Sequence, residues 1–195
     1  FTSSNEDIVI KDNTFNNCRD YGVKLTSGIE ASVVYNNFNL FDNTSATDQL
    51  IGIFVEQVVN PIIINNSIST SSVTNPGPGI FFSSANGQIR KNNIIGHLHG
   101  IELGGSSPDI AQNTIRGNKN YGIYASAYSF PNLSESVIEN ESYPFGGYNE
   151  IYENGSCNSF NESFAEIYLY RSSIILQSGC NTIADDSYEP ALNCD

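Results

Sequence analysis

The sequence predicts an all-β fold wound as a coil, a single-stranded solenoid in which each turn stacks on the one before. Three observations lead there: an asparagine recurring at intervals of a few tens of residues, a glycine-led apolar motif alternating with it, and a composition poor in helix formers. Of 195 residues, 26 are Asn, 23 Ile and 16 Gly. Asn and Gly favour turns, whereas Ile, Val, Tyr and Phe favour strands.

The first motif is an aliphatic or small residue, two variable positions, Asn, one variable position and an apolar residue. It begins at Ile10, Asn13 and Phe15, and recurs at Val33, Asn36 and Phe38. Further copies are Ile63, Asn66, Ile68, then Ile89, Asn92, Ile94, then Ile110, Asn113, Ile115. Two degenerate copies follow at Gly146, Asn149, Ile151 and Ser178, Asn181, Ile183. Between them sits Gly-apolar-x-apolar, as Gly22-Val23-Lys24-Leu25, Gly52-Ile53-Phe54-Val55 and Gly79-Ile80-Phe81-Phe82. It continues as Gly100-Ile101-Glu102-Leu103 and Gly122-Ile123-Tyr124-Ala125, with the variant Glu166-Ile167-Tyr168-Leu169. The Asn-to-Asn spacings are 23, 30, 26, 21, 36 and 32 residues. A shortest turn of 21 residues with variable insertions fits coils whose loops lengthen on the outside. No segment could bury its two or three apolar residues alone, so stacking neighbours must make the core.

These repeats resemble right-handed parallel β-helices of the pectin-lyase-like class, in particular the repeats of carbohydrate-binding and sugar-hydrolase (CASH) domains. The likeness runs over residues 8–183, about seven coils of a single domain spanning 1–195, with 184–195 irregular. It implies three short parallel sheets, and a ladder of stacked Asn at the sharp turn between the second and third strands of each coil. Its members would be Asn13, Asn36, Asn66, Asn92, Asn113, Asn149 and Asn181. Asn is expected there because it tolerates left-handed backbone and its amide both donates and accepts.

The formal charge is −13, with a sequence pI near 4.3. Such a balance argues against nucleic acid as partner and against docking on anionic membrane. No apolar run approaches the ~20 residues of a membrane-spanning helix. The chain opens at Phe1 and has no Met, which reads as a processed chain or a fragment of a longer protein. Cys18, Cys157, Cys180 and Cys194 show no metal spacing. A disulfide among the last three is expected in an exported protein, leaving Cys18 free and buried. Six Asn-x-Ser/Thr sites, starting at Asn43, Asn65, Asn132, Asn140, Asn154 and Asn161, point the same way.

Parity assigns the faces. In Gly-Ile-x-Leu the apolar pair points in and x points out, giving an outward column of Lys24, Phe54, Phe81, Glu102, Tyr124 and Tyr168. The next outward positions are Thr26, Glu56, Ser83, Gly104, Ser126 and Tyr170. Aromatic rings at ~4.8 Å steps with carboxylates nearby suit stacking on sugar faces. The resemblance implies the same, because this is the sheet on which family enzymes commonly bind polysaccharide. The expected ligand-binding set is therefore Phe54, Phe81, Glu102, Tyr124, Tyr168 and Tyr170. The alternative is simple cross-strand stacking beneath inserted loops, expected at 39–50, 69–78, 126–146 and 152–165. The third of these carries Tyr128, Phe130, Tyr143 and Phe145, which suggest packing on the coil.

Family enzymes are hydrolases with paired carboxylates, or lyases with a base and calcium or another cation. Polygalacturonase-like motifs do not match: the chain offers Gly96-His97-Leu98-His99-Gly100 and Asp185-Asp186, wrong in spelling and order. The catalytic candidates are Glu56, Glu102 and Lys24, with the two glutamates roughly 10 Å apart. His97 and His99 read as corner or inward residues rather than metal ligands. Residues 1–119 hold 10 acids and 7 bases, whereas 120–195 hold 11 acids and one base. That acidic far half repels uronate polymers unless calcium intervenes; otherwise no cofactor or metal is expected. The reading is an extracellular or cell-surface scaffold or adhesion module that binds glycans along the aromatic strip. Its alternatives are a polysaccharide lyase or glycoside hydrolase, and a purely structural stalk or filament subunit. Other domains or further copies would stack at the coil ends.

Overall fold

The computed structural model describes residues 7–28, 30–41, 49–71, 76–133, 149–152, 165–169 and 182–183. All their regular structure is parallel β-strand. The first coil comprises β1 (Ile8–Lys11), β2 (Thr14–Asn16) and β3 (Tyr21–Gly28). The second runs through β4 (Ala31–Val34) and β5 (Asn37–Leu40) into β6 (Ile51–Ile64). That strand bends round a corner into the third coil, which continues as β7 (Ser67–Thr70) and β8 (Ile80–Ser83). Next come β9 (Asn86–Arg90), β10 (Asn93–Ile95) and β11 (His99–Gly104), then β12 (Asp109–Ala111), β13 (Thr114–Arg116) and β14 (Tyr121–Ser126). β15 (Glu150–Tyr152), β16 (Ala165–Leu169) and β17 (Thr182–Ile183) extend the stack.

Three faces result. The first holds β1, β4, the end of β6, β9 and β12. The second is a seven-stranded sheet of β2, β5, β7, β10, β13, β15 and β17. The third holds β3, the start of β6, β8, β11, β14 and β16. The all-β parallel coil is as the sequence predicts, and all three strands of a turn are described between Ile8 and Ser126. Leu40 and Thr70 end β5 and β7, so the first two insertions begin later than expected.

The core is a set of columns. Val33, Ile63, Ile89 and Ile110 are buried from the first face, Phe38, Ile68, Ile94 and Ile115 from the second, and Ile53, Ile80, Ile101 and Ile123 from the third. Each column repeats a residue of similar shape at the same place, so side chains interlock between coils without voids. In the first coil Phe15 stacks on Phe38, with centroids 4.6 Å apart and rings 6° from parallel. The expectation that the far insertion packs its aromatics on the coil fails at Tyr128 and Phe130, which are 65% and 46% exposed. Tyr143 and Phe145 lie outside the described residues.

The predicted asparagines Asn13, Asn36, Asn66, Asn92, Asn113 and Asn149 form one continuous ladder, with Asn181 outside the described residues. The Asn92 Oδ1 accepts from the Asn66 backbone N–H and from Asn66 Nδ2, each at 3.0 Å. Asn92 Nδ2 donates to the Ile63 carbonyl at 2.8 Å and to Asn113 Oδ1 at 3.0 Å. The same pattern recurs at each rung, so burying these amides leaves no orphaned donor. One part of the expectation needs correcting. The left-handed residue is the one before the ladder Asn: Asp12, Tyr35, Asn65, Lys91 and Gln112 have φ of 54–59°. Asn is required for its amide, not for its backbone. A smaller ladder closes another corner, where Ser106 Oγ accepts from the Ala85 N–H and Ser129 Oγ from the Ser106 N–H, at 3.1 and 3.0 Å.

Asn92→Ala should cost about 3 kcal/mol or more, because it removes the buried acceptor of the Asn66 N–H and Nδ2 and the buried donor to the Ile63 carbonyl. Asn39→Ala, on the outer surface, should change stability by less than about 0.5 kcal/mol. Urea unfolding of the two variants checks both numbers.

Candidate functional site

Strand pleating turns every second side chain of the third face outward. Lys24 sits beside Phe54, Phe54 beside Phe81, Phe81 beside Glu102 and Glu102 beside Tyr124, each pair on adjacent coils. Tyr168 occupies the next register position, opposite Tyr124, while Tyr170 lies outside the described residues. Lys24 is exposed, and Phe54, Phe81, Glu102 and Tyr124 are half-buried, between buried inward neighbours.

The rings form two groups. Phe54 meets Phe81 edge-on, with centroids 5.3 Å apart at 78°, and Tyr21 lies 5.4 Å from Phe54. Above them the Lys24 ammonium stands 4.8 Å from the Tyr21 centroid and 5.2 Å from that of Phe54, within cation–π range. The second group is a stack of His99, Tyr121 and Tyr124, with centroids 5.0–5.5 Å apart and planes within 19°. Glu102 stands between the groups, with Phe81 on one side and Tyr124 on the other. Burial pushes its carboxyl above the usual range. His99 is 8% exposed, its Nδ1 has no hydrogen-bond partner, and burial lowers its pKa to about 4, so it is neutral near pH 7.

His99 was expected to point inward or into a corner; its ring instead stacks on Tyr121 and Tyr124, as Tyr21 does beside Phe54, and the glycines show why. A Cβ on Gly22 would stand 2.6 Å from the Gly52 carbonyl and 2.6 Å from Phe38 Cδ1. On Gly100 it would collide with Ile115 Cγ2 and the Gly122 carbonyl. The glycine therefore faces the core, as does the apolar residue after it. Two consecutive inward positions shift the alternation, so the residue before each glycine joins the outward strip. The signal was present in the sequence as an aromatic or imidazole before glycine in three coils.

Other expectations are settled by placement. Glu56 pairs with Thr26 and Ser83, in the row beside Phe54, so it is offset from Glu102 by two coils and two residues along the strand. That separation is about 12 Å rather than 10 Å, too wide for a retaining or an inverting carboxylate pair. Lys24 is three coils from Glu102 and does not approach it. Among the described residues no group of three or more His, Cys, Asp and Glu could hold a metal. Cys18 is half-buried and free, with its thiol pushed up by burial. Cys157, Cys180, Cys194, Asp185 and Asp186 lie outside the described residues. Among those described, no helix is long and apolar enough to cross a membrane.

A family model described as a right handed beta helix region matches residues 1–174. A double mutant of the periplasmic alginate epimerase AlgG is similar in structure, with a TM-score of 0.59 and 16% identity over 89% of this chain and 44% of that one. AlgG without substitutions and a single mutant also match, at 18% and 17% identity, TM-scores of 0.42 and 0.47, and coverage of 86% of this chain and 42% of theirs. The chain thus spans less than half the length of these structures, and the likeness is one of fold. No curated protein sequence matches it.

The other histidine lies at the corner between the second and third faces. His97 is fully buried, and its N–H donates to Asn118 Oδ1 at 2.9 Å, the equivalent corner residue one coil on. The Ile68 and Gly77 backbone beside the imidazole favours a proton, but neither makes a well-formed hydrogen bond to it. Burial dominates and lowers its pKa from 6.5 to about 4. Above pH 6.5 the ring is neutral folded or unfolded. As pH falls towards 4 only the unfolded chain takes the proton, so stability drops, by roughly 3 kcal/mol for this group. Glu102, whose folded pKa is raised, acts in the opposite sense, because acid relieves its buried charge. His97→Asn, which repeats the residue of the next coil, should remove roughly half of the loss between pH 7 and 4 in urea unfolding, the rest belonging to His99, whose pKa burial also lowers to about 4. An unchanged pH slope would mean His97 already carries its proton in the folded chain.

Proposed function

Because the chain belongs to the right-handed β-helix family, we propose that it is an exported glycan-binding module, with a polysaccharide lying along the coil axis on the third face. The observation that carries this reading is the outward strip itself. Two aromatic groups, Tyr21–Phe54–Phe81 and His99–Tyr121–Tyr124, flank one carboxyl on a flat parallel sheet. Rings held by neighbouring coils offer preorganised stacking faces for pyranose rings, and the coil step of about 4.8 Å brings a new side chain to each successive sugar. Glu102 and the Tyr hydroxyls supply the polar atoms that fix orientation in a mostly apolar site. The scaffold does not rearrange to build the strip, which lowers the entropic cost of binding. AlgG, the periplasmic alginate epimerase of similar fold, supports an exported, glycan-facing role.

A second reading, a polysaccharide-active enzyme, draws on Glu102 and His99. A carboxyl pushed upward by burial and a neutral imidazole stand three residues apart on one strand, the two residue types that general acid–base chemistry uses. Incubation with uronate and neutral polysaccharides decides it. Unsaturated product or new reducing ends would establish catalysis, and their absence across the panel would leave the binding module.

For binding, Tyr124→Ala and Phe81→Ala should each weaken glycan affinity at least about tenfold, a loss of about 1.4 kcal/mol or more. Val9→Ala, exposed on the first face, should leave it unchanged. Isothermal titration against a panel of soluble oligosaccharides reads the difference, and equal affinities for all four proteins would remove the strip from the binding site.

A further inference from the structure

Glu102 is a carboxylate without a counter-charge. The ion pairs Lys11–Asp12 and Arg19–Asp20 are both exposed, both between chain neighbours, and neither involves Glu102. The charged groups directed outward from the described third face are Lys24, Glu56 and Glu102. Lys24 lies three coils from Glu102, roughly 14 Å at strand spacing and beyond the screening length at physiological salt. The nearest ring system on its own strand, His99, is neutral. Half-burying an unpaired carboxylate is costly, and nothing in the described core needs it there.

Its immediate surroundings are the walls of a cation site. Phe81 and Tyr124 border it on the two adjacent coils. On the outward side of the same strand, two residues on, Gly104 has no side chain, and a Cβ there would meet only the Phe81 ring edge and the Phe82 carbonyl at 3.6–4.0 Å. No side chain from that position covers the carboxylate, and a methyl group there would be tolerated in ordinary contact. The same strip already holds one ammonium group in this manner, because Lys24 Nζ rests over the Tyr21 and Phe54 rings. An aromatic face and a carboxylate together favour an ammonium ion over a carboxylate or a neutral group.

We propose that the Glu102 position of the third face is a subsite for a protonated sugar amine, so that the preferred glycan carries free amino groups rather than carboxylates. The inference rests on the glycan-binding reading above and narrows it. The −13 charge of the chain acts in the same sense, drawing a cationic polymer to the surface and repelling a uronate. Glu56, beside Phe54 two coils away, offers a second and more open carboxylate to the same polymer.

Three probes of equal length separate the outcomes when titrated into the full chain at mildly acidic pH: a glucosamine hexamer, its fully N-acetylated counterpart and a hexauronate. The amine form should bind about tenfold tighter than the acetylated form. Glu102→Gln should reduce that preference to about twofold, because it weakens binding of the amine form more than that of the acetylated form. Glu30→Gln, at an exposed acid off the strip, should leave the preference intact. Loss of preference in both variants would reveal attraction by net charge alone and overturn the subsite. Equal or tighter binding of the acetylated or uronate probe would overturn it too, while the glycan-binding reading stands. Failure of all three probes to bind, together with a wider neutral oligosaccharide panel, would remove that reading and the inference with it. Glu102→Gln keeps the side chain's shape and removes a buried charge, so its melting temperature should equal or exceed that of the parent.

Discussion

Everything in this molecule hangs on the hydrogen bonds that one asparagine amide makes to the coils on either side. The Oδ1 of each ladder residue must reach both the N–H and the Nδ2 of its predecessor, while its own Nδ2 reaches forward to the next Oδ1 and back to a carbonyl. Those four contacts leave no slack in the turn. From first face to second the connection is two residues in every described coil: Asp12-Asn13, Tyr35-Asn36, Asn65-Asn66, Lys91-Asn92 and Gln112-Asn113. The corner from second to third face has no such rung through all coils, and its length varies from three residues after Ile95 to twelve after Tyr152. Variation in coil length is thus excluded from the laddered corner and expressed elsewhere.

That division explains why the third face can carry a surface in register although the loops feeding it differ in length. Four of its strands are re-aligned by a glycine, Gly22, Gly52, Gly79 or Gly100, whose missing Cβ lets the second-face phenylalanine or isoleucine press against the backbone. The inward glycine sets where pleating begins, and the pleating aims Lys24, Phe54, Phe81, Glu102 and Tyr124 to one side. Packing in the core and display at the surface are the same geometric fact seen from opposite sides of the strand.

Much of this was legible in residues alone. Asn13 through Asn149 announce the ladder because Asn carries two N–H donors and a carbonyl acceptor on one short side chain. The outward column follows from counting by two within Gly-Ile-x-Leu. The count fails one residue earlier, at Tyr21, His99 and Tyr121, because a strand with two successive inward positions breaks simple alternation. Nor could the left-handed position be read from residue type: Asp12, Tyr35, Lys91 and Gln112 share no side-chain property, and the conformation is imposed by the rung that follows. The charge state of Glu102 was equally hidden. It depends on which rings flank it on other coils, and that is a property of register rather than of sequence neighbourhood.

The ladder also has a direction. Every Oδ1 points towards the start of the chain and every forward-donating Nδ2 towards its end, in step with the parallel strands. Each rung is therefore unlike on its two sides, presenting an acceptor to one neighbour and a donor to the other. In symmetry terms the described coils form a vector: translation along the coil axis maps one rung onto the next, whereas a two-fold axis across it would reverse every hydrogen bond.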